Sequence, residues 1–386
     1  MRKSRPIFWA AMIWVILLMS AGCTVEIPQE AQPKMVRALW DPSTSTLPSP
    51  TNLVLDDELG QLQLPVDASM PPAERDFRQY LNLLDGYPLP TTLTILLSGP
   101  IQEHSLPGTL AIVEVSTGNT IDAQVSYDAP TMSIKAYAPD GFAPGRTYVF
   151  GLWGYDGGVK GAQGEPVVAD AAFYMVRRPY PLSEHATAMP GETRAERQET
   201  AETLELVQDA YEPLFRAMEH RGIKREHVAT ASSFTTTNRP AIWFDSTSSQ
   251  IPMPNNLLID AETGLVDLPI ADDVDAERRA MLEGLATYDG FSMSGAITVK
   301  TTHQIGDGAH LDADAIRLYA REKDGSWKEV IDVQRGRLDD RETLWIRPRM
   351  TLDSSTEHAY VVSRSLSDHR GLGHEAQPLG AMLRLP

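Results

Sequence analysis

One ten-residue pattern occurs twice in this chain. Residues 47–56 read LPSPTNLVLD and residues 251–260 read IPMPNNLLID, an offset of 204. Residues 38–101 overlay 242–305 without a gap. Asp41 falls on Asp245, Pro48 and Pro50 on Pro252 and Pro254, Asn52 on Asn256, Asp56 on Asp260, Gly60 on Gly264, and Asp85-Gly86 on Asp289-Gly290. That period is the length of a domain, not of a solenoid unit. Whatever fold the first copy adopts, the second must adopt as well. Further along, Tyr148 faces Tyr360 at an offset of 212 and Pro139 faces Pro348, as expected when loops gain residues while strands keep their pattern.

Within each copy the apolar residues come in short alternating runs, among them TLTILLS, LAIVEV and TYVFGLW in the first and AITVKT, AIRLYAR and AYVVSR in the second. Gly, Pro and Asp turns separate them, which reads as β-strands. Strands at this spacing favour a sandwich. One short helix is expected in MPPAERDFRQYLNLLDG and one in DDVDAERRAMLEGLATYDG. The fold class expected is mainly β: two tandem Ig-like β-sandwich domains, residues 37–178 and 231–386, joined by a helical connector over 179–230. In the connector, Leu204, Val207, Tyr211, Leu214, Phe215 and Met218 recur at helical spacing before Gly222, with Pro213 set to bend or divide the helix. Its apolar stripe is expected to pack on one sandwich. SSFTTTNRPAIWF then reads as an extended link or strand leading into the second copy.

The repeated motif is read as architectural. Pro-x-Pro implies an extended, polyproline-like backbone, and Asn52 and Asn256 are placed to bond neighbouring backbone in a turn. Leu53, Leu55, Leu257 and Ile259 should then enter the core. A device that carries the chain across a sheet edge is needed once per domain, whereas a catalytic centre is not.

The first residues, MRKSRPIFWAAMIWVILLMSAGC, have the basic, apolar and small-residue regions of a secretory signal. SAGC resembles the lipobox of bacterial lipoproteins, in which the cysteine receives lipid before cleavage. This implies a signal over 1–22, lipid attachment at Cys23 and a tether over 23–36. Cys23 is the sole cysteine, so no internal disulfide can form. Thr24, in place of the Asp of the common sorting rule, implies the outer membrane, with the side left open. The formal charge of −18 becomes −21 without Arg2, Lys3 and Arg5. Nucleic acid and anionic head groups, which need a basic patch, are thereby disfavoured.

DPSTSTLPSPTNLVLDDELGQLQLPV, LNLLDGYPLPTTLTILLS and AYEPLFRAMEHRGIKREHVATASSFTT resemble the N-terminal, non-catalytic region of bacterial virulence-factor lipases, which are surface lipoproteins. The segments 139–150 and 157–173 resemble the bacterial Ig-like domain. The lipases carry a hydrolase domain with a G-x-S-x-G elbow. Here the nearest match, GFSMSG at 290–295, has serines without that spacing. The resemblance therefore implies the accessory part alone: a lipid-anchored envelope protein that binds or scaffolds a partner protein or polysaccharide without a cofactor. Two alternatives are a glycan-binding surface adhesin and an accessory or unrecognised lipase or esterase.

Three further constellations carry polar or aromatic side chains close together in the sequence. HRGLGHE at 369–375 is the tightest histidine cluster, read as a turn in preference to a metal site. Asp307, Asp312 and Asp314 offer oxygens for calcium but lack the EF-hand spacing. Trp153 and Tyr155, set among glycines, form a candidate sugar-stacking pair, against the commoner role of a Trp closing the end of a core.

Overall fold

The chain is described from a computed structural model covering residues 35–56, 59–245, 250–270, 274–307, 311 and 314–377. The expected signal and Cys23 lie outside the described residues, as does Asp312. Among the described residues no helix is long and apolar enough to cross a membrane.

The protein is mainly β, with α-helices α1 (Pro72–Leu81), α2 (Ala171–Val176), α3 (Arg194–His220) and α4 (Ala276–Leu285). Its contacts divide into two units, Met1–Gln63 with Asp85–Thr237, and Leu64–Leu84 with Asn238–Pro386.

In the first unit, β1 (Leu93–Leu96), β4 (Ser133–Tyr137) and β3 (Gln124–Asp128) form one antiparallel sheet, with β4 central. β2 (Leu110–Glu114), β5 (Thr147–Trp153) and β6 (Val228–Thr235) form another, with β5 central. The β5 residues Tyr148 to Leu152 are all buried, the pattern of a strand covered on both faces. Helix α3 starts in a capping box: Thr193 Oγ1 accepts the Glu196 amide at 3.2 Å while the Glu196 carboxylate accepts the Thr193 amide at 3.1 Å. Its six stripe residues are buried in one cluster with Val113, Val149 and Ala231 of the β2-β5-β6 sheet. A Cβ on Gly151 would come within 2.5 Å of Leu214 Cδ2, so glycine is what allows this close approach.

Two differences from the sequence reading follow. Helix α3 runs unbroken through Pro213, and the connector drawn over 179–230 is part of the first unit, because its apolar stripe supplies the cover for the sheet. Residues 232–235 of the segment read as an extended link or strand leading into the second copy belong to β6, which pairs with β5 from Val228↔Trp153 to Thr235↔Thr147. The boundary drawn at 231 therefore cuts a strand.

In the second unit, β7 (Ile297–Lys300), β11 (Thr343–Pro348) and β10 (Val333–Arg337) form one sheet around β11. β9 (Trp327–Glu329), β8 (Ile316–Arg321) and β12 (His358–Val362) form another around β8. Ile297, Val299, Ile316, Leu318, Leu344 and Ile346 centre its core. Residues 64–84 group with this unit, not with the first copy that contains them. There Tyr80 Oη of α1 donates to Ala376 O at 2.6 Å.

The duplication is visible in the backbone. Helix α4 lies 204 residues after α1 at both ends. Ser49 and Thr94 exchange two backbone hydrogen bonds, as do Met253 and Thr298. Gly60 and Gly264, at φ of +61° and +70°, close turns onto Asp56 O and Asp260 O, each at 2.8 Å. The motif itself departs from expectation. The peptides before Pro50 and Pro254 are cis. The caps on the following short helices come from Thr51 and Asn255, whose side chains accept the amides of Leu53 and Leu257, while Asn52 Nδ2 donates to Thr235 Oγ1 at 3.1 Å. Leu257, expected in the core, is exposed.

Candidate binding surface

The residues singled out for chemistry have structural partners. Trp153 is half-buried against the first core, and a Cβ on Gly157 would touch its ring. The Arg177 guanidinium lies 4.5 Å from the Tyr155 ring centroid and the His227 ring stacks on the same ring, while the Tyr155 hydroxyl accepts the Ala169 amide at 3.1 Å. Trp153 thus packs on the first core, and Tyr155 on Arg177 and His227. Asp307 accepts from Arg337 Nη2 at 2.5 Å and from Arg341; those two guanidiniums hold its carboxyl below the usual range. Asp314 pairs with Arg317 at 3.2 Å. Ser292 Oγ accepts the Ser294 amide at 3.4 Å.

The turn at 368–374 is organised by Asp368. Its buried carboxylate accepts from the amides of Arg370 and Leu372, both at 2.9 Å, and from Arg370 Nε at 2.6 Å. Burial works against that charge, but Arg370 and the two amides outweigh it and keep the carboxyl below its usual range. His303, packed nearby, is pushed down to about 4 by burial, with the Arg370 cation adding to the effect. His374 Nδ1 faces Leu366 O at 3.0 Å. Among the described residues no three His, Cys, Asp or Glu side chains converge as metal ligands.

What sets the two copies apart is how much of the same surface each covers. In the first unit, β6 closes the sheet and brings in Phe234. Its ring centroid lies 5.0 Å from Phe142, 5.4 Å from Tyr148, 6.0 Å from Phe150 and 6.4 Å from Tyr87. Gly86 lies against the chain that continues from β6: a Cβ there would be 2.6 Å from the Thr236 carbonyl carbon. Tyr87 N–H donates to Thr235 O at 2.8 Å and Thr237 N–H to Tyr87 O at 2.7 Å. Thr237 Oγ1 also donates to Asp85.

In the second unit β12 stands where β5 stands in the first, yet among the described residues no strand pairs with its other edge. A Cβ on Gly290 would meet nothing within 4 Å. Leu89 is 2% exposed and its counterpart Met293 44%; Val149, under α3, is 0% exposed and Val361 52%. Met281, Leu285 and Tyr288 on and after α4 are exposed as well. Among the described residues the second unit thus exposes apolar side chains whose first-unit counterparts are buried, and leaves one edge of β12 unpaired. No motif in the sequence marks this contrast; it emerges from comparing the two copies residue by residue.

No family model matches the chain, and no curated protein matches it. Solved structures similar to it include the N-terminal part of the bacterial S-layer protein SbsC, at 11% identity and a TM-score of 0.21, covering 74% of this chain and 42% of that one. Domains 1–6 of surface layer protein SbsC match at 11% identity and a TM-score of 0.21, covering 74% and 24%. The S-layer protein rSbsC(31-844) matches at 16% identity and a TM-score of 0.18, covering 21% and 11%. The chain spans less than half the length of each. At these TM-scores the likenesses have no bearing on function.

Proposed function

We propose that this is a lipid-anchored protein of the bacterial envelope, built of two Ig-like sandwich modules, that binds a partner through the uncovered face of its second unit. The observation that carries this reading is the contrast between equivalent positions: side chains buried in the first unit have apolar counterparts exposed in the second. Exposed apolar patches rimmed by polar residues mark interaction sites. Lipid on Cys23 would hold the protein at the membrane, and its acidic surface suits a protein or polysaccharide partner better than a polyanion. The test is crosslinking in native membranes, capture of the full lipidated chain and identification of what accompanies it. It is run beside Met293→Glu/Val361→Glu, which changes two exposed residues whose first-unit counterparts, Leu89 and Val149, are buried. A stoichiometric partner lost with the double variant supports the reading; identical capture by both proteins, or capture of none, overturns it.

A further inference from the structure

The first unit also records what the second unit's face is shaped to accept. With Tyr148 on Tyr360, the register of β5 against β2 maps onto that of β12 against β8. By the repeat offset Phe291 is the counterpart of Tyr87, and by strand register Val362 is that of Phe150. Leu352 takes the place of Phe142, since Leu352 N–H donates to Met293 O as Phe142 N–H donates to Leu89 O. The four residues around Phe234 thus have half-buried apolar counterparts in Phe291, Leu352, Tyr360 and Val362. Among the described residues nothing fills Phe234's place between them.

The backbone tells the same story. Arg321 N–H donates to Glu357 O and Ser363 N–H to Ala315 O, so residues 357, 359, 361 and 363 face β8. In an antiparallel ladder the intervening residues His358, Tyr360 and Val362 turn their N–H and C=O groups to the other edge. In β5 the same alternation sends Tyr148, Phe150 and Leu152 toward β6. The second unit therefore has three outward backbone positions and an apolar socket in the arrangement that β6 satisfies in the first.

We propose that the open edge of β12 takes one extended strand of a partner protein, antiparallel to β12, with an aromatic side chain in the socket flanked by small or hydroxyl-bearing residues. This rests on the binding reading above and names the partner's chemistry: main-chain hydrogen bonds supply affinity and the socket supplies selectivity. The chain's own strand of this kind, β6, has seven of its eight residues buried in the first unit and is not free to serve. Two copies of a chain of formal charge −18 repel one another. Of these three sources we take a different polypeptide as the donor; a strand supplied from within the chain, by residues outside the described ones, is an outcome of the test below.

The test uses the full chain and a synthetic peptide of residues 227–239, HVATASSFTTTNR. The peptide should bind and protect the Tyr360 and Val362 amides from hydrogen exchange. Methylating the peptide nitrogen of Ser232 or Phe234, which face β5 in the native pairing, should weaken binding by at least about tenfold, and methylating that of Ser233 should not. Replacing the peptide's phenylalanine by aspartate should weaken it comparably. His358→Pro, which removes an edge-facing donor without touching the β8 ladder, should weaken binding from the protein side. Failure to protect these amides at millimolar peptide overturns the proposal, as does indifference to which nitrogen is methylated. Protection of Tyr360 and Val362 in the free protein also overturns it: if it grows with concentration the occupant is a second copy, and if not the edge is already covered within the chain. A partner captured from membranes alongside a peptide that does not bind would leave the binding reading standing and remove the strand-docking one.

Discussion

Gly86 and Gly290 occupy the same place in the two copies, and replacing each with alanine asks whether that place is closed in one and open in the other. Neither has a positive φ, so alanine is tolerated by the backbone at both. At Gly86 the new methyl would lie 2.6 Å from Thr236 C, 2.7 Å from Thr235 O and 2.8 Å from Thr236 O, against an ordinary contact of 3.4 Å or more. These are main-chain atoms and cannot rotate aside. Relief requires the Thr235–Thr237 chain to move by most of an ångström, across the two hydrogen bonds linking it to Tyr87. Overpacking of this kind costs about 1–3 kcal/mol, and each lost hydrogen bond about 1 kcal/mol more. Gly86→Ala should therefore destabilise the first unit by about 2–4 kcal/mol. At Gly290 no atom lies within 4 Å, so the substitution should be neutral or stabilising by up to about 1 kcal/mol, through the entropy of the unfolded chain. Urea unfolding followed by tryptophan fluorescence, with hydrogen exchange at Thr237 as a local reporter, measures both. Equal effects at the two sites, or a loss below about 0.5 kcal/mol at Gly86, would refute the assignment of β6 as the closing strand.

Phe234→Ala empties the centre of the aromatic cluster and should cost about 3–5 kcal/mol by urea unfolding, whereas Leu257→Ala, at an exposed site, should stay within about 0.5 kcal/mol. Asp368→Ala strips the 368–374 turn of three hydrogen bonds and leaves Arg370 without its carboxylate, for a loss of about 3 kcal/mol. His303 has a folded pKa of about 4, below the 6.5 of the free side chain. The unfolded chain thus binds more protons between those values, and this contribution to stability should fall as pH drops from about 6.5 to about 4 and level off below. Unfolding midpoints across that window should flatten in His303→Gln.

The duplication and both short helices were legible because they are written in turn chemistry at a fixed offset: Asp-Gly pairs, Pro-x-Pro, and the glycines that take positive φ. The burial of the α3 stripe was legible from its 3.6-residue period. The place of β6 was not. Its sequence from Val228 to Thr237 carries no charge and mixes small, hydroxyl-bearing and apolar residues, the composition of a strand covered on both faces, but it follows a long helix and has no counterpart in the aligned repeat. A boundary at 231 therefore splits it between the connector and the second domain. Only its pairing with β5, about 80 residues earlier in the chain, shows which module it completes, and such long-range pairing leaves no local periodicity. The same reason hid the face of the second unit. Met293 and Val361 look like core residues by analogy with Leu89 and Val149, and what exposes them is that nothing among the described residues covers them, a property of no single residue.

An uncovered strand edge is also a hazard, since it can template pairing between copies of one chain. Strand β12 is short, with five residues. Charged pairs bracket it, Arg321 with Glu357 at 2.6 Å before it and Arg364 with Glu375 after it. A second β12 approaching edge to edge would bring another set of these charges and another acidic surface, at an electrostatic penalty that grows as salt falls. A strand with the composition of β6 brings no charge and no such penalty. It also supplies the aromatic side chain that the socket lacks, which β12 cannot do for itself because its tyrosine already packs on its own core. The features that restrain self-pairing are thus the same ones that favour a neutral, aromatic-bearing strand. The short length of β12 and its flanking charges select against edge-to-edge pairing with another copy of the same chain.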